Sequence, residues 1–201
     1  MLDTNPRAVI LMGVAGSGKS TVGTNLAKRL GWTFLDADDF HPAANVEKMS
    51  KGIPLNDEDR MPWLRRLHDE LGHRIEADTS VVLGCSALKE SYRQIMREGL
   101  SQIDFVFLDV DQFTLAERLG KRKDHFFPKG LLESQFAALE RPQNALIVDA
   151  SRSVEEVTEQ IIAALEEKGL KRTMQSTAAK HRLRLSPVRN VDSISQKKWS
   201  S

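Results

Sequence analysis

Eight consecutive residues near the N-terminus have the types and spacing of a phosphate-binding loop. Residues 13–20 read GVAGSGKS and match G-x-x-x-x-G-K-[ST] at every fixed position. Glycines let several backbone N–H groups turn toward one phosphate, which bulky side chains would prevent. A ligand-free glycine turn is the alternative, but an apolar run precedes the motif and a helical pattern follows it, as a nucleotide site requires. The residues expected to contact ATP or GTP are Gly13, Val14, Ala15, Gly16, Ser17, Gly18, Lys19, Ser20 and Thr21.

Four side chains in and after this loop have types suited to phosphoryl chemistry. Lys19 is expected to reach the β- and γ-phosphates as a catalytic cation, and the Ser20 hydroxyl to bind Mg²⁺. Asp36 and Asp38 follow the apolar residues 34–35, and on an extended backbone they share one side. That placement suits Asp36 as a second magnesium ligand and Asp38 as acceptor of a proton from an attacking hydroxyl. The alternative is an acidic turn between a strand and a helix.

The elements that must position these side chains alternate along the chain. Short apolar runs predict strands at 9–12, 33–35, 81–85, 105–108 and 145–148. Helical patterns lie at 19–30, 57–77, 88–97, 112–121 and 153–168. Continuous apolar runs are typical of parallel strands covered on both faces. We therefore predict a three-layer α/β/α fold around a five-stranded parallel sheet, with ligands at the carboxyl ends of the strands.

Composition limits the class of protein. Of the 201 residues 40% are hydrophobic and 28% charged, which is ordinary for a globular domain. The single cysteine, Cys85, excludes an internal disulfide framework and a cysteine zinc cluster, and is expected to be a buried small hydrophobe. No run approaches the roughly 18 apolar residues of a membrane span. The polar N-terminus lacks a signal core, so we expect a cytoplasmic protein without a membrane partner.

Charge divides the chain into two parts. Residues 171–201 carry eight Lys and Arg and one acid, whereas residues 1–170 carry 21 basic and 27 acidic residues. We interpret 1–170 as one domain and 171–201 as a basic, poorly ordered tail. The acidic body is not typical of a nucleic-acid-binding protein, so no nucleic-acid partner is expected, although a basic tail leaves a weak opening for one.

Several blocks of the sequence together resemble one family. They are Asp38–Pro42 (DDFHP), residues 54–64 (PLNDEDRMPWL), residues 85–89 (CSALK), Tyr92-Arg93 and, further on, His125–Phe127 and Ser134–Phe136. In this order they resemble the gluconokinase family, small P-loop kinases that phosphorylate D-gluconate. The resemblance covers about residues 8–168, and the blocks at 54–64 and 85–89 are far more specific than the phosphate loop.

The resemblance implies a substrate pocket and a lid. It implies a helical substrate-binding insertion at about 40–77 and a lid at about 118–138, with Arg118 near the adenine and Arg122, a catalytic residue, near the phosphates. Its implied gluconate-binding residues are Asp38, Lys48, Arg60, Ser86, Lys89 and Gln135. A guanidinium fork suits a carboxylate, although Arg60 could instead pair with Asp57 or Asp59 at a helix start.

Other readings of these segments stay open. The cations near 118–123 could be a solvated helix end. Trp63 is expected to pack in the core rather than to stack on a sugar. His41 is expected to have a structural role rather than to act as a general base. Asp124, where relatives usually have glycine, and the altered segment Glu140-Arg141-Pro142 depart from the family pattern, whereas Ala15 should matter little.

The resemblance implies transfer of the γ-phosphoryl group of Mg²⁺-ATP to the terminal hydroxyl of D-gluconate, and it is compatible with a homodimer. One alternative is a related kinase that acts on shikimate, another sugar acid or a nucleoside monophosphate. The other is a regulatory protein that binds ATP with little or no transfer.

Overall fold

A parallel sheet of five strands forms the centre of the computed structural model, which describes residues 6–120 and 129–169. The strands are β1 (Ala8–Met12), β2 (Thr33–Asp36), β3 (Val81–Gly84), β4 (Ile103–Asp109) and β5 (Leu146–Asp149). Their spatial order is β2-β3-β1-β4-β5, and every neighbouring pair is parallel. The predicted five-stranded parallel sheet is confirmed.

Helices connect the strands. They are α1 (Lys19–Leu30), α2 (Ala43–Ser50), α3 (Asp57–Glu76), α4 (Glu90–Arg97), α5 (Gln112–Gly120), α6 (Lys129–Ala138) and α7 (Val154–Glu167), with a 3₁₀ turn at Ala37–Phe40. The long pattern predicted at 57–77 is α3. The segment before it, where the apolar pattern indicated no helix but the resemblance implied a helical insertion from about residue 40, holds the 3₁₀ turn and α2.

The two faces of the sheet are covered by different helices. Successive residues of a strand point to opposite faces, and β1 is buried throughout. Val9 and Leu11 join a core cluster with residues of α1 and α7. Ala8, Ile10 and Met12 join a second cluster with residues of α3 and α4. This is the predicted three-layer α/β/α arrangement.

Parts of the sequence-based account lie outside the described residues. Arg122, Asp124 and the tail 171–201 are among them, so the lid is described only as the end of α5 and as α6. Within the described residues, no helix combines the length and apolar character needed to cross a bilayer.

Candidate active site

The loop between β1 and α1 has the geometry of a phosphate cradle. Gly13, Gly16 and Gly18 all have positive φ. At Gly13 a Cβ would lie 2.9 Å from the Ser17 Oγ and 3.0 Å from the Leu108 carbonyl oxygen, so a larger residue would not fit. The N-terminus of α1 has no side-chain cap and no acidic residue in its first turn. No side-chain cap therefore occupies the amides at the start of α1, which leaves this helix end suited to bind an anion.

Lys19 lies within this loop. Its Nζ donates to the carbonyl oxygens of Gly13 and Val14, at 3.0 Å each. Burial lowers the pKa of Lys19, and the carboxylates of Asp38 and Asp36 act in the opposite direction. The phosphate-loop cation and the two predicted carboxylates therefore lie within electrostatic reach of one another.

The two carboxylates after β2 have different surroundings. Asp36 accepts hydrogen bonds from the Ser20 hydroxyl, at 3.1 Å, and from the Asp38 backbone N–H, at 3.2 Å. The Ser20–Asp36 pair offers hard oxygen atoms of the kind that Mg²⁺ prefers. Among the described residues no group of three His, Cys, Asp or Glu forms a metal cage. A magnesium ion at this pair would therefore take its remaining ligands from phosphate and water.

Asp38 is exposed in the 3₁₀ turn. Its side chain is 86% exposed, and its Oδ1 lies 3.9 Å from the His41 Nε2. Desolvation raises the pKa of Asp38, as does the Asp36 carboxylate, while His41 and Lys19 oppose the rise. Because most of the side chain meets water, solvent screens these effects and we expect the shift to be small.

His41 and Trp63 pack together at this turn. Their rings stack with centroids 4.4 Å apart, and the Trp63 Nε1–H donates to the Ala37 carbonyl oxygen at 2.7 Å. The His41 side chain is 5% exposed, and burial lowers its pKa. Asn45 Nδ2 lies 3.3 Å from the His41 Nδ1. The expectation that both rings pack is confirmed.

The predicted gluconate-binding cations gather around the start of α3. The Lys48 Nζ lies 2.6 Å from the Asp59 Oδ1, and the Lys89 Nζ lies 2.8 Å from both carboxylate oxygens of Asp57. Lysines thus hold the carboxylates that the alternative reading assigned to Arg60. The Arg60 guanidinium donates to the Leu55 carbonyl oxygen and lies 5.9 Å from the centre of the Tyr92 ring.

The phosphate loop also contacts two other predicted substrate residues. The Gly13 N–H donates to the Ser86 carbonyl oxygen at 3.2 Å, and the Ala15 N–H donates to the Gln135 Oε1 at 2.6 Å. Gln135 lies on α6, so this bond links the lid helix directly to the cradle.

Arg118 lies toward the other side of the loop. Its guanidinium donates to the carbonyl oxygens of Ala150 and Ser151, at 2.7 and 2.8 Å, just before α7. A cleft of about 560 Å³ is lined by residues of α1 and of the start of α7: Ser20, Thr21, Thr24, Asn25, Lys28, Val154 and Glu155. Arg118 is thus separated from the cations around α3.

Two groups of residues near the site were not assigned a role from the sequence. Asp57 and Asp59, considered from the sequence only as partners of Arg60, hold Lys89 and Lys48, and the Tyr92 hydroxyl donates to Asp57. Their other signal is that they fall in the blocks that carry the resemblance. Arg93, which is 2% exposed, also falls in such a block, but nothing in the sequence indicates its burial. Cys85 is buried as expected, and burial raises its pKa to about 12, which excludes a reactive thiolate.

Known proteins are similar to this chain in sequence and in fold. Residues 9–142 match the model of an AAA domain family. Thermosensitive gluconokinase of Escherichia coli K12 is 46% identical over 155 residues, which cover 75% of this chain and 83% of that protein. Gluconokinase of Gluconobacter oxydans 621H is 53% identical over 137 residues, which cover 68% of this chain and 77% of that protein.

A solved structure agrees with both. The crystal structure of a gluconokinase from Sinorhizobium meliloti 1021 superposes with a TM-score of 0.74 at 40% identity. The match covers 82% of this chain and 94% of that one. With the phosphate cradle and a parallel α/β sheet in place, these similarities show that the chain belongs to the gluconokinase family of P-loop kinases.

Proposed function

We propose that this chain transfers the γ-phosphoryl group of ATP to the terminal hydroxyl of D-gluconate and releases 6-phosphogluconate and ADP. The observation that carries the proposal is the 3.1 Å hydrogen bond from the Ser20 hydroxyl, beside Lys19 in the phosphate cradle, to Asp36 at the end of β2, directly before the turn that holds Asp38. Because the relatives are gluconokinases, we infer that the acceptor is D-gluconate. The cations around the start of α3 suit the carboxylate of this acceptor.

At the donor side, the cradle would hold the phosphates. The Gly13 and Ser17 N–H groups donate to the Ser86 and Val14 carbonyl oxygens, so the other backbone amides of residues 13–20 would bind phosphate oxygens. Lys19 would leave its carbonyl partners to neutralise charge on the β- and γ-phosphates. Ser20 and Asp36 would hold Mg²⁺, which when bound supplies further charge neutralisation. Arg118 and the cleft between α1 and α7 would receive the nucleoside.

At the acceptor side, Asp38 would act on the hydroxyl of the sugar acid. Its exposed carboxylate can approach a bound hydroxyl and accept the proton as the oxygen attacks phosphorus. Lys48, Arg60 and Lys89 would bind the gluconate carboxylate at the other end of the substrate. In phosphoryl transfer of this kind, most of the rate enhancement comes from positioning and charge neutralisation.

One residue of the loop after β3 and two residues of the lid would complete the site. Ser86 and Gln135 would contact the substrate hydroxyls, which requires the Gln135 side chain to exchange its bond with the Ala15 amide for one with a ligand. Arg122 would neutralise charge on the transferring group as the lid closes and excludes water.

We also propose a cytoplasmic protein, because a free thiol at Cys85 suits a reducing compartment. From the family resemblance we propose a homodimer without membrane or nucleic-acid partners. Light scattering of the purified chain checks the oligomeric state.

An acceptor panel tests the reaction. ADP release is measured with D-gluconate, shikimate, other sugar acids and nucleoside monophosphates at equal concentrations. We expect kcat/KM for D-gluconate to exceed that for every other acceptor by at least about a hundredfold, because unmatched polar groups in a binding pocket are strongly penalised. Tight ATP binding without release stimulated by any acceptor would indicate the regulatory alternative instead.

A further inference from the structure

A buried arginine joins two segments of the candidate active site. Arg93 lies on α4 and is 2% exposed. Its Nε donates to a Glu90 carboxylate oxygen at 2.7 Å, and its Nη1 donates to the carbonyl oxygens of Ala87 and Leu88 at 2.8 and 3.1 Å. Its Nη2 donates to the Glu140 carbonyl oxygen at 3.0 Å. Most hydrogen bonds of this guanidinium therefore go to backbone carbonyl oxygens.

These carbonyls belong to segments that the proposed function uses. Ala87 and Leu88 lie between β3 and α4, flanked by Ser86 and Lys89. Glu140 lies two residues after the end of α6, the helix that carries Gln135. The Glu140 N–H donates to the Leu88 carbonyl oxygen at 2.9 Å, and the Glu90 N–H donates to the Glu140 carboxylate at 2.6 Å. The loop and the exit of the lid helix thus form one hydrogen-bonded unit, with Arg93 at its centre.

The loop needs such support because its backbone is strained. Ala87 has φ +43°, a left-handed conformation that residues with a Cβ rarely adopt. Strain of this kind persists only where surrounding contacts hold the chain. The bond from Arg93 to the Ala87 carbonyl fixes that peptide, and hence the direction in which the neighbouring residues project.

We propose that Arg93 is a positioning residue that keeps the loop 86–89 in its substrate-binding conformation and couples it to the lid through Glu140. This inference rests on the proposed function, in which Ser86, Lys89 and Gln135 bind gluconate. Arg93 itself touches neither substrate. Its fork, and not its charge alone, is the required feature, because three separate guanidinium nitrogens reach four acceptors, whereas a lysine has all its donors on one nitrogen.

The substitution Arg93→Lys tests the need for the fork. It keeps a cation beside Glu90 and removes the bridge. We expect KM for gluconate to rise at least about tenfold, while KM for ATP changes less than about twofold. Arg97→Lys is the matched control, because Arg97 lies on the same helix and also pairs with Glu90. It should leave both constants within about twofold of wild type.

A rescue variant separates positioning from simple loss of stability. Glycine adopts positive φ readily, so Ala87→Gly should let the loop keep its conformation without Arg93. In the Arg93→Lys background it should restore at least half of the wild-type kcat/KM for gluconate. Equal increases in both KM values, a matching effect in Arg97→Lys, or no rescue would overturn the inference.

Hydrogen exchange gives a readout that does not depend on turnover. Without ligand, Arg93→Lys should accelerate amide exchange in residues 86–89 and 139–141 together. The Arg97→Lys variant should exchange like wild type in both segments. Acceleration in one of the two segments alone would overturn the coupling. If Arg93→Lys does not fold, gluconate added to wild type should slow exchange in both segments, and protection confined to 86–89 would contradict the inference. Absence of gluconate-dependent turnover in wild type counts separately, against the proposed function.

Discussion

Asp36 and Asp38 are two residues apart and yet differ in what surrounds them. The Asp36 carboxylate is engaged by the Ser20 hydroxyl and by the amide of Asp38, whereas 86% of the Asp38 side chain is exposed beside the turn. A carboxylate already bonded to the hydroxyl of the phosphate loop suits the magnesium role. The exposed one is accessible to an incoming hydroxyl. The geometry therefore favours Asp38 as the proton acceptor.

Replacing Asp38 by asparagine removes the proposed proton acceptor and keeps the shape of the side chain. We expect kcat to fall by about 10² to 10⁴, the usual contribution of a general base. The dissociation constant of ATP, measured by isothermal titration calorimetry, should change less than about twofold. Asp39→Asn, at the neighbouring exposed carboxylate, should retain normal turnover. A normal kcat in Asp38→Asn would remove Asp38 from this role.

His41 should make stability depend on pH below neutrality. Burial lowers its folded-state pKa from the ordinary value of 6.5, with Asp38 opposing and Arg60 reinforcing the shift. Above about pH 6.5 the ring is neutral in both states. Below it the unfolded chain takes up the proton more readily, so the free energy of unfolding falls as pH falls toward the folded-state pKa.

Denaturant unfolding between pH 5 and 8 checks this linkage. His41→Phe keeps an aromatic ring against Trp63 and cannot titrate. Its stability relative to wild type should improve as pH decreases from about 6.5. If the two stability curves ran parallel across this range, the buried neutral state of His41 would be excluded.

At the scale of residues, local spacing carried much of the candidate site. The phosphate loop and the Asp36–Asp38 pair are short patterns, and the structure brings them together. The partners of Lys48, Lys89 and Arg93 are not local in the same way. Lys89 meets Asp57 across 32 positions, and Arg93 meets Glu140 across 47. Such contacts depend on how the helices pack, which periodicity does not determine.

Helix α1 lies against β2 through a glycine. At Gly23 a Cβ would be 2.3 Å from the Cε2 and 2.7 Å from the Cδ2 of Phe34. Gly72 in α3 is different, since the nearest atom to a Cβ there is a Leu100 Cδ2 at 4.0 Å. One helical glycine is therefore required for packing, and the other is not.

Alanine at these two glycines should have opposite effects on stability. Gly23→Ala overpacks the contact with Phe34 and should lower the free energy of unfolding by about 1–3 kcal/mol. Gly72→Ala should raise it by up to about 1 kcal/mol, because alanine is the better helix former. Urea denaturation measures both variants. Equal signs would show that the packing of α1 on β2 differs from this description.

The start of α3 carries residues that the proposed function places beside the acceptor. Asn56 accepts from the Asp59 N–H at 2.8 Å, and the Asp59 carboxylate accepts from the Asn56 N–H at 3.1 Å, which makes a capping box. Ser153 and Glu156 form the same motif at α7. Only the first cap stands beside Asp57, Asp59 and Arg60.

Removing each cap compares the two helix starts. Asn56→Ala and Ser153→Ala should each lower the free energy of unfolding by about 1 kcal/mol. Asn56→Ala should also raise KM for gluconate severalfold, because the α3 side chains lose their fixed placement, whereas Ser153→Ala should leave that constant unchanged. The same KM for gluconate in both variants would argue against a substrate site at the start of α3.

At the scale of elements, apolar runs predicted all five strands, although their ends differ. The strand predicted at 105–108 extends to Ile103–Asp109. The second residue of this strand is Asp104, an acidic residue that interrupts the apolar pattern. In the structure Asp104 pairs with Arg7 and Lys168, which are distant in sequence. Long-range ion pairs of this kind cannot be read from one segment.

In the whole molecule, the carboxyl ends of the strands lead to the two sides of the proposed reaction. The ends of β2 and β3 lead to Asp38 and to the loop 86–89, on the side where Lys48, Arg60 and Lys89 lie. The ends of β1 and β5 lead to the phosphate loop and to the carbonyls that hold Arg118. Because β1 is the central strand, the cradle lies between the acceptor side and the nucleoside side. The proposed phosphoryl transfer runs from the nucleoside side of the cradle to the acceptor side.

Direct analysis of the products tests that claim. The purified full chain is incubated with ATP, Mg²⁺ and D-gluconate, and phosphorus NMR follows the products, with Lys19→Ala and the exposed Lys168→Ala as paired variants. We predict one phosphomonoester at the terminal carbon of gluconate, formed in equal amount with ADP, by wild type and by Lys168→Ala but not by Lys19→Ala. ADP formed at the same rate without gluconate, or no phosphorylated gluconate at all, would contradict the account.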